Sequence, residues 1–205
     1  MIVEVRIPEA VWQTVLDVFQ RHEPGVERIA YLDGFRVDET GYPDSSAYGQ
    51  IFVATTVVVP DAVLSPRNYS VPAHAISDAG RHLRTDRMTR VAQVHSHGND
   101  WVEHSRTDDE HAYSQRAGAI SVVVPFHGAR RPAVASCGVH LRTEAGWQRV
   151  PPDAVVKIIP SVLDHRSTPW TSTQDPARTG GIFSRFLAWV MSVEAPRTRS
   201  GSSSK

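Results

Sequence analysis

The sequence predicts an α/β fold, a mixed β-sheet flanked by helices, and three stretches carry that prediction. "IVEVRI" (Ile2–Ile7) alternates apolar and charged residues, the period of a half-buried strand. "PEAVWQTVLDVFQRH" puts Val11, Val15 and Phe19 on one face with Trp12 and Leu16 beside them, the spacing of an amphipathic helix. "AISVVVPF" (Ala119–Phe126) is almost wholly apolar, as expected of a central strand covered on both faces.

The other elements follow in chain order. Pro8 suits the first helical position, and Pro24-Gly25 ends the helix it opens. "VERIAYLDGFRV" (Val26–Val37) reads as a strand, "DETGYPDSSAYG" (Asp38–Gly49) as an exposed excursion, and "QIFVATTVVV" (Gln50–Val59) as a β-branched strand stopped by Pro60. A loop with Pro66 and Pro72 leads to a second helix, "AHAISDAGRHLRT", with Ile76, Ala79 and Leu83 in step. "MTRVAQVHS" (Met88–Ser96) is a strand, and "RTDDEHAYSQRAG" (Arg106–Gly118) a helix stopped by its glycine. "PAVASCGVHLRT" and "GWQRV" continue as β-structure, and "PPDAVVKIIPSVL" starts as a helix that Pro160 breaks. Residues 1–165 therefore form the main domain. Residues 166–181 are a polar linker, 182–193 a short apolar helix that could dock on its own body, a partner or another copy, and 194–205 a disordered tail.

Formal net charge is zero, so no overall basic footprint points to nucleic acid. Residues 166–205 carry six Arg/Lys against Asp175 and Glu194, a basic tail on a mildly acidic body. The lone cysteine, Cys137, excludes an internal disulfide and any cysteine-rich zinc site. It also excludes a zinc nucleoside deaminase, whose ligands include two cysteines. No basic run followed by an apolar stretch marks a leader, and no apolar segment reaches the roughly 20 residues of a membrane span. The expected compartment is the cytoplasm.

The chemistry concentrates in "HSHGNDWVEHSRTDD" (His95–Asp109). His95 and His97 leave the end of a strand on the same face, so both imidazoles converge. Ser105 and Asp108 fall in the first turn of the helix that follows, from which a side chain can point back to the strand end. Two imidazoles and one carboxylate suit zinc and leave a coordination position for water, the composition of a hydrolytic site. "SRTD" is equally a capping box, and Asp108 at a helix N-terminus is favoured by the helix dipole alone. The joint spacing is what favours a metal site over these structural roles.

That spacing, His-x-His, seven residues, Ser, two residues, Asp, resembles the JAMM signature of the JAB/MPN zinc metalloproteases. "ERIAYLDG" (Glu27–Gly34) resembles the family's upstream glutamate segment, with Glu27, Leu32 and Gly34 in place. The resemblance covers roughly residues 2–152 and implies the JAB/MPN fold, which is related to the deaminase fold. It implies that His95, His97 and Asp108 hold one zinc ion per chain. Glu27 would act as the general base and Ser105 would bind the oxyanion. Gly98 stands where the family commonly has proline, and Ala30 where it often has glycine. The implied activity is hydrolysis after the C-terminal glycine of a ubiquitin-like modifier, in deconjugation or precursor maturation. The texture of the motif is most similar to bacterial JAB proteins of ubiquitin-like conjugation and antiviral-defence operons. The implied partners are the modifier, its conjugates and the conjugation enzymes of the same operon, and a homodimer is compatible with the family.

Two other classes stay open: a non-catalytic MPN scaffold, and a JAB hydrolase of small or sulfur-carrier conjugates. Scaffolds generally lose ligands or the glutamate, and all five positions are present here. Glu23 is the rival base, although Pro24 places it in a turn, and Asp100, Glu103 and Asp109 stand off the motif's register and read as solvated loop acids. His104 either orients a ligand or is simply exposed, His111 reaches the site edge or lies on the surface, and Trp101 and Asn99 contact substrate or cover the core. His22, His74, His82, His127, His140 and His165 have no convergent spacing.

Overall fold

The computed structural model describes residues 3–21, 25–37 and 50–161. The expected excursion at 38–49, Glu23, and the linker, apolar helix and tail from 166 onward lie outside the described residues.

Strand β1 (Val3–Pro8) runs into helix α1 (Glu9–Gln20), with Pro8 as its N-cap. Trp12, Val15, Leu16 and Phe19 form its buried stripe, as the periodicity requires. Strands β2 (Ile29–Val37) and β3 (Gln50–Val58) pair antiparallel. A hairpin unforeseen in the sequence follows, β4 (Val63–Ser65) with β5 (Asn68–Ser70) around the turn Pro66-Arg67. The expected second helix is two short ones, α2 (Ala73–Ala79) and α3 (Arg81–Thr85), divided at Gly80, and Ile76 is exposed where Ala75 and Ala79 are buried.

Strand β6 (Thr89–Ser96) leads through the motif loop to helix α4 (Arg106–His111), then to β7 (Ile120–Val124). Helix α4 stops seven residues before the expected Gly118, because the chain beyond it bonds elsewhere. The Tyr113 N–H donates to Gln93 Oε1 at 2.9 Å, and the Tyr113 hydroxyl accepts the Ile120 N–H at 3.3 Å. β8 (Gly138–Thr143) and β9 (Gly146–Val150) form a hairpin. The expected C-terminal helix is a single turn, α5 (Pro152–Val155), and the next residues form β10 (Val156–Ile159), parallel to β1.

Eight strands make one curled mixed sheet in the order β10-β1-β3-β2-β6-β7-β8-β9. β7 is interior and fully buried, in line with its apolar run. One sheet face packs on α1: Ala30, Leu32, Ala92, Val94, Val122 and Val124 join Trp12, Val15 and Leu16 in the main core. The other face carries Ile29 and Tyr31 against Tyr69 and Ala79, and Gln93, whose amide donates to Ser121 Oγ at 3.0 Å. Alternation along β6 thus sends Ala92 and Val94 into the α1 core and Gln93, His95 and His97 to the opposite face.

Candidate metal centre

The site lies where β6 ends. His95 is its penultimate residue, fully buried, and His97 follows one residue past the strand, also buried. The His97 N–H donates to the Val124 carbonyl at 2.9 Å, so the chain stays in ladder geometry beyond the last paired residue. Ser105 caps α4. Its Oγ accepts the Asp108 N–H at 3.1 Å, and its own N–H donates to Asp108 Oδ2 at 2.7 Å. The capping box expected from "SRTD" therefore exists, and it holds the Asp108 carboxylate against the two imidazoles.

His95 Nε2 lies 3.3 Å from Asp108 Oδ1, and His97 Nε2 lies 3.4 Å from Asp108 Oδ2. Donors about 2.0–2.1 Å from a tetrahedral zinc ion stand roughly 3.3–3.4 Å apart, so each imidazole stands at ligand spacing from one oxygen of the shared carboxylate. His95 Nε2 is buried and makes no hydrogen bond, which an ion there would satisfy. The His97 Nδ1–H donates to the Trp101 carbonyl at 2.9 Å, leaving Nε2 with its lone pair toward Asp108, the tautomer a metal requires. Ligand atoms of all three residues lie within 4.8 Å of one another. Among the described residues this is the one such group.

The electrostatics follow from burial and proximity. Burial alone would raise the Asp108 carboxyl, but His95, His97 and Ser105 hold it far below the usual range. Burial pushes the His95 imidazole down against the pull of Asp108, while contact with Asp108 and Trp101 outweighs burial and raises His97. Glu27 is pushed up to about 7, first by burial, with the Asp108 carboxylate adding and His97 opposing.

Glu27 is not inside β2, as expected, but two residues before it. Ladder register still brings it to the site. Ile29 pairs with His95, and the Ser96 N–H donates to the Arg28 carbonyl at 2.9 Å. Extending that antiparallel register sets Glu27 opposite His97, and directly opposed residues share a face. The Glu27 N–H donates to the Ser65 carbonyl at 2.8 Å, fastening the lead-in to the β4–β5 hairpin. Glu27, Ser105 and His97 line one cleft of about 520 Å³, together with Pro66, Arg67, Gly98, Asn99 and Trp101.

The other candidates divide. Trp101 covers no core: it is 46% exposed and stacks on His97, ring centroids 5.2 Å apart at 10°. Asn99 accepts the Trp101 N–H on its side chain, at 3.1 Å. The His104 side chain is 5% exposed, not solvated, and burial beside His140 and His95 pushes it down to about 2. His111 is on the surface and Asp100 is solvated. Glu103 pairs with Arg149 on β9. Sequence reasoning missed Pro66 and Arg67, His127 against Gly98, and His140 beneath His104. None of these carries a local spacing signal that would have flagged it.

No family model matches the chain, and comparison with curated proteins finds no match. Among solved structures, a protein from Desulfitobacterium hafniense aligns over 80% of this chain and 99% of its own, at 14% identity and a TM-score of 0.57. That likeness shows a shared fold. A JAB1/MPN domain protein from Archaeoglobus fulgidus aligns over 77% of this chain and 97% of its own, at 15% identity and a TM-score of 0.41, too low to bear on the fold. No helix among the described residues is long and apolar enough to cross a membrane.

Proposed function

We propose that this chain is a zinc-dependent amide hydrolase of the JAB/MPN type, cleaving after the C-terminal glycine of a ubiquitin-like modifier. The observation that carries the reading is a buried His95–His97–Asp108 group whose His97 lines one cleft with Glu27, set opposite it, and Ser105. The motif resemblance supplies the reaction class and the modifier; the geometry supports the division of labour.

His95, His97 and Asp108 would hold the ion, which supplies Lewis acidity when bound. Glu27, raised toward neutrality by burial, is matched to take a proton from the attacking water and deliver it to the leaving amine. Ser105 accepts the Asp108 N–H on its oxygen and keeps its own O–H free to donate to the developing oxyanion. The Trp101 carbonyl keeps His97 in the ligating tautomer. The partners are the modifier, its conjugates and the conjugation enzymes that make them, and the compartment is the cytoplasm.

The test is cleavage of a ubiquitin-like protein from the same genome, fused through its C-terminal glycine to a reporter. Wild type, Glu27→Gln and chelator-treated protein are compared. Cleavage after the glycine by wild type alone supports the reading. No cleavage with zinc bound at one per chain overturns the substrate assignment and leaves the scaffold or small-conjugate classes.

A further inference from the structure

The loop between His97 and Ser105 carries the third ligand's helix, and one of its side chains does more than fill space. His104 precedes the N-cap, and its side chain is 5% exposed. Its ring stacks on His140, centroids 3.9 Å apart at 18°, meets Trp147 at 5.1 Å, and lies 5.6 Å from the ring of His95. Its Nδ1–H donates to Asp109 Oδ1 at 2.8 Å, since a carboxylate only accepts. His104 and Asp109 thus close a second clasp outside the Ser105–Asp108 capping box.

That clasp is anchored to the far hairpin. His140 Nε2–H donates to the Val102 carbonyl at 3.0 Å. A Cβ on Gly138 would lie 1.9 Å from the Val102 oxygen, so the loop presses on β8 where only glycine fits. Glu103 pairs with Arg149 on β9. Residues 102–104 are therefore fixed to β8–β9 by backbone, charge and ring contacts. His104 passes that rigidity to the turn holding Asp108 through a directional side-chain bond, beside the Gln115 amide that donates to the Asp109 carbonyl.

We infer that His104 is a positioning residue for the metal centre, holding Asp108 in ligating geometry through its bond to Asp109 and its stack on His140. This rests on the proposed metal centre, and on neither the substrate nor the reaction.

The test measures zinc affinity of the full chain by chelator competition, with the visible spectrum of the cobalt(II)-substituted protein reporting ligand geometry. His104→Phe keeps an aromatic ring on His140 and loses the bond; zinc affinity should fall at least tenfold and the cobalt bands should lose intensity. Asp109→Leu, at a side chain 45% exposed, breaks the same bond with little packing change and should reproduce the loss even if His104→Phe fails to fold. Asp109→Asn keeps an acceptor for the Nδ1–H and should stay within about twofold of wild type, a rescue that a packing role alone does not predict. Wild-type affinity and spectrum in both His104→Phe and Asp109→Leu overturn the inference while leaving the metal centre intact. A wild-type chain that binds no divalent ion overturns the centre and the inference together.

Discussion

Replacing Glu27 by glutamine should remove a pH dependence from the stability of the metal-free chain. Glu27 is 8% exposed, and its carboxyl sits at about 7 against an ordinary 4.5. At 1.36 kcal/mol per pH unit that gap corresponds to about 3 kcal/mol, and residual hydration lowers the realised effect to about 1–3 kcal/mol. Because the folded state holds this proton more tightly than the unfolded chain, the contribution is fully present below pH 4.5. It is lost as pH rises through about 7. Urea unfolding of metal-free wild type and Glu27→Gln at pH 5 and pH 8 measures it. His95, His97 and Asp108 titrate in both chains, so the difference reports Glu27 together with its coupling to His97 and Asp108. Wild type should lose about 1–3 kcal/mol more than the variant between the two pH values. Equal losses would refute the claim that burial raises the Glu27 carboxyl, and with it the physical reason for assigning it as base.

Asp108→Asn should lower bound zinc well below one per chain by metal analysis, and unchanged stoichiometry would move the third ligand elsewhere. Ser105→Ala should cost about 0.5–2 kcal/mol of stability through the lost cap, and about 10²–10³ in kcat with little change in KM. A turnover loss no larger than the stability loss explains would remove its oxyanion role. Trp12→Ala should cost about 3–5 kcal/mol by calorimetry, because the ring is 2% exposed and its indole N–H donates to the Pro132 carbonyl at 3.1 Å. A loss below 1 kcal/mol would show that α1 is not seated on the sheet.

What the sequence determined by itself is what depends on neighbours within a turn or two. The α1 stripe, the alternation in β6 that sends His95 and His97 to one face, the apolar β7 and the Ser105–Asp108 box all follow from local spacing. Each is set by backbone periodicity, which the chain carries at every point. Tertiary structure decided what depends on pairing across long separations. Glu27 stands opposite His97 because β2 pairs with β6 in one register, and a one-residue slip would turn it to the other face. Helix α4 ends early because Gln93 and Ile120 claim the next backbone and side-chain groups. β10 is a strand because β1 offers it an edge, although Pro151-Pro152 and "DAVV" read as a helix start. His140 and His127 have no motif of their own, and only the packing of β8 on the His97–Ser105 loop and of His127 on Gly98 gives them a place beside the candidate site. Local propensity cannot encode such contacts, since they exist only once the sheet has chosen its order and register.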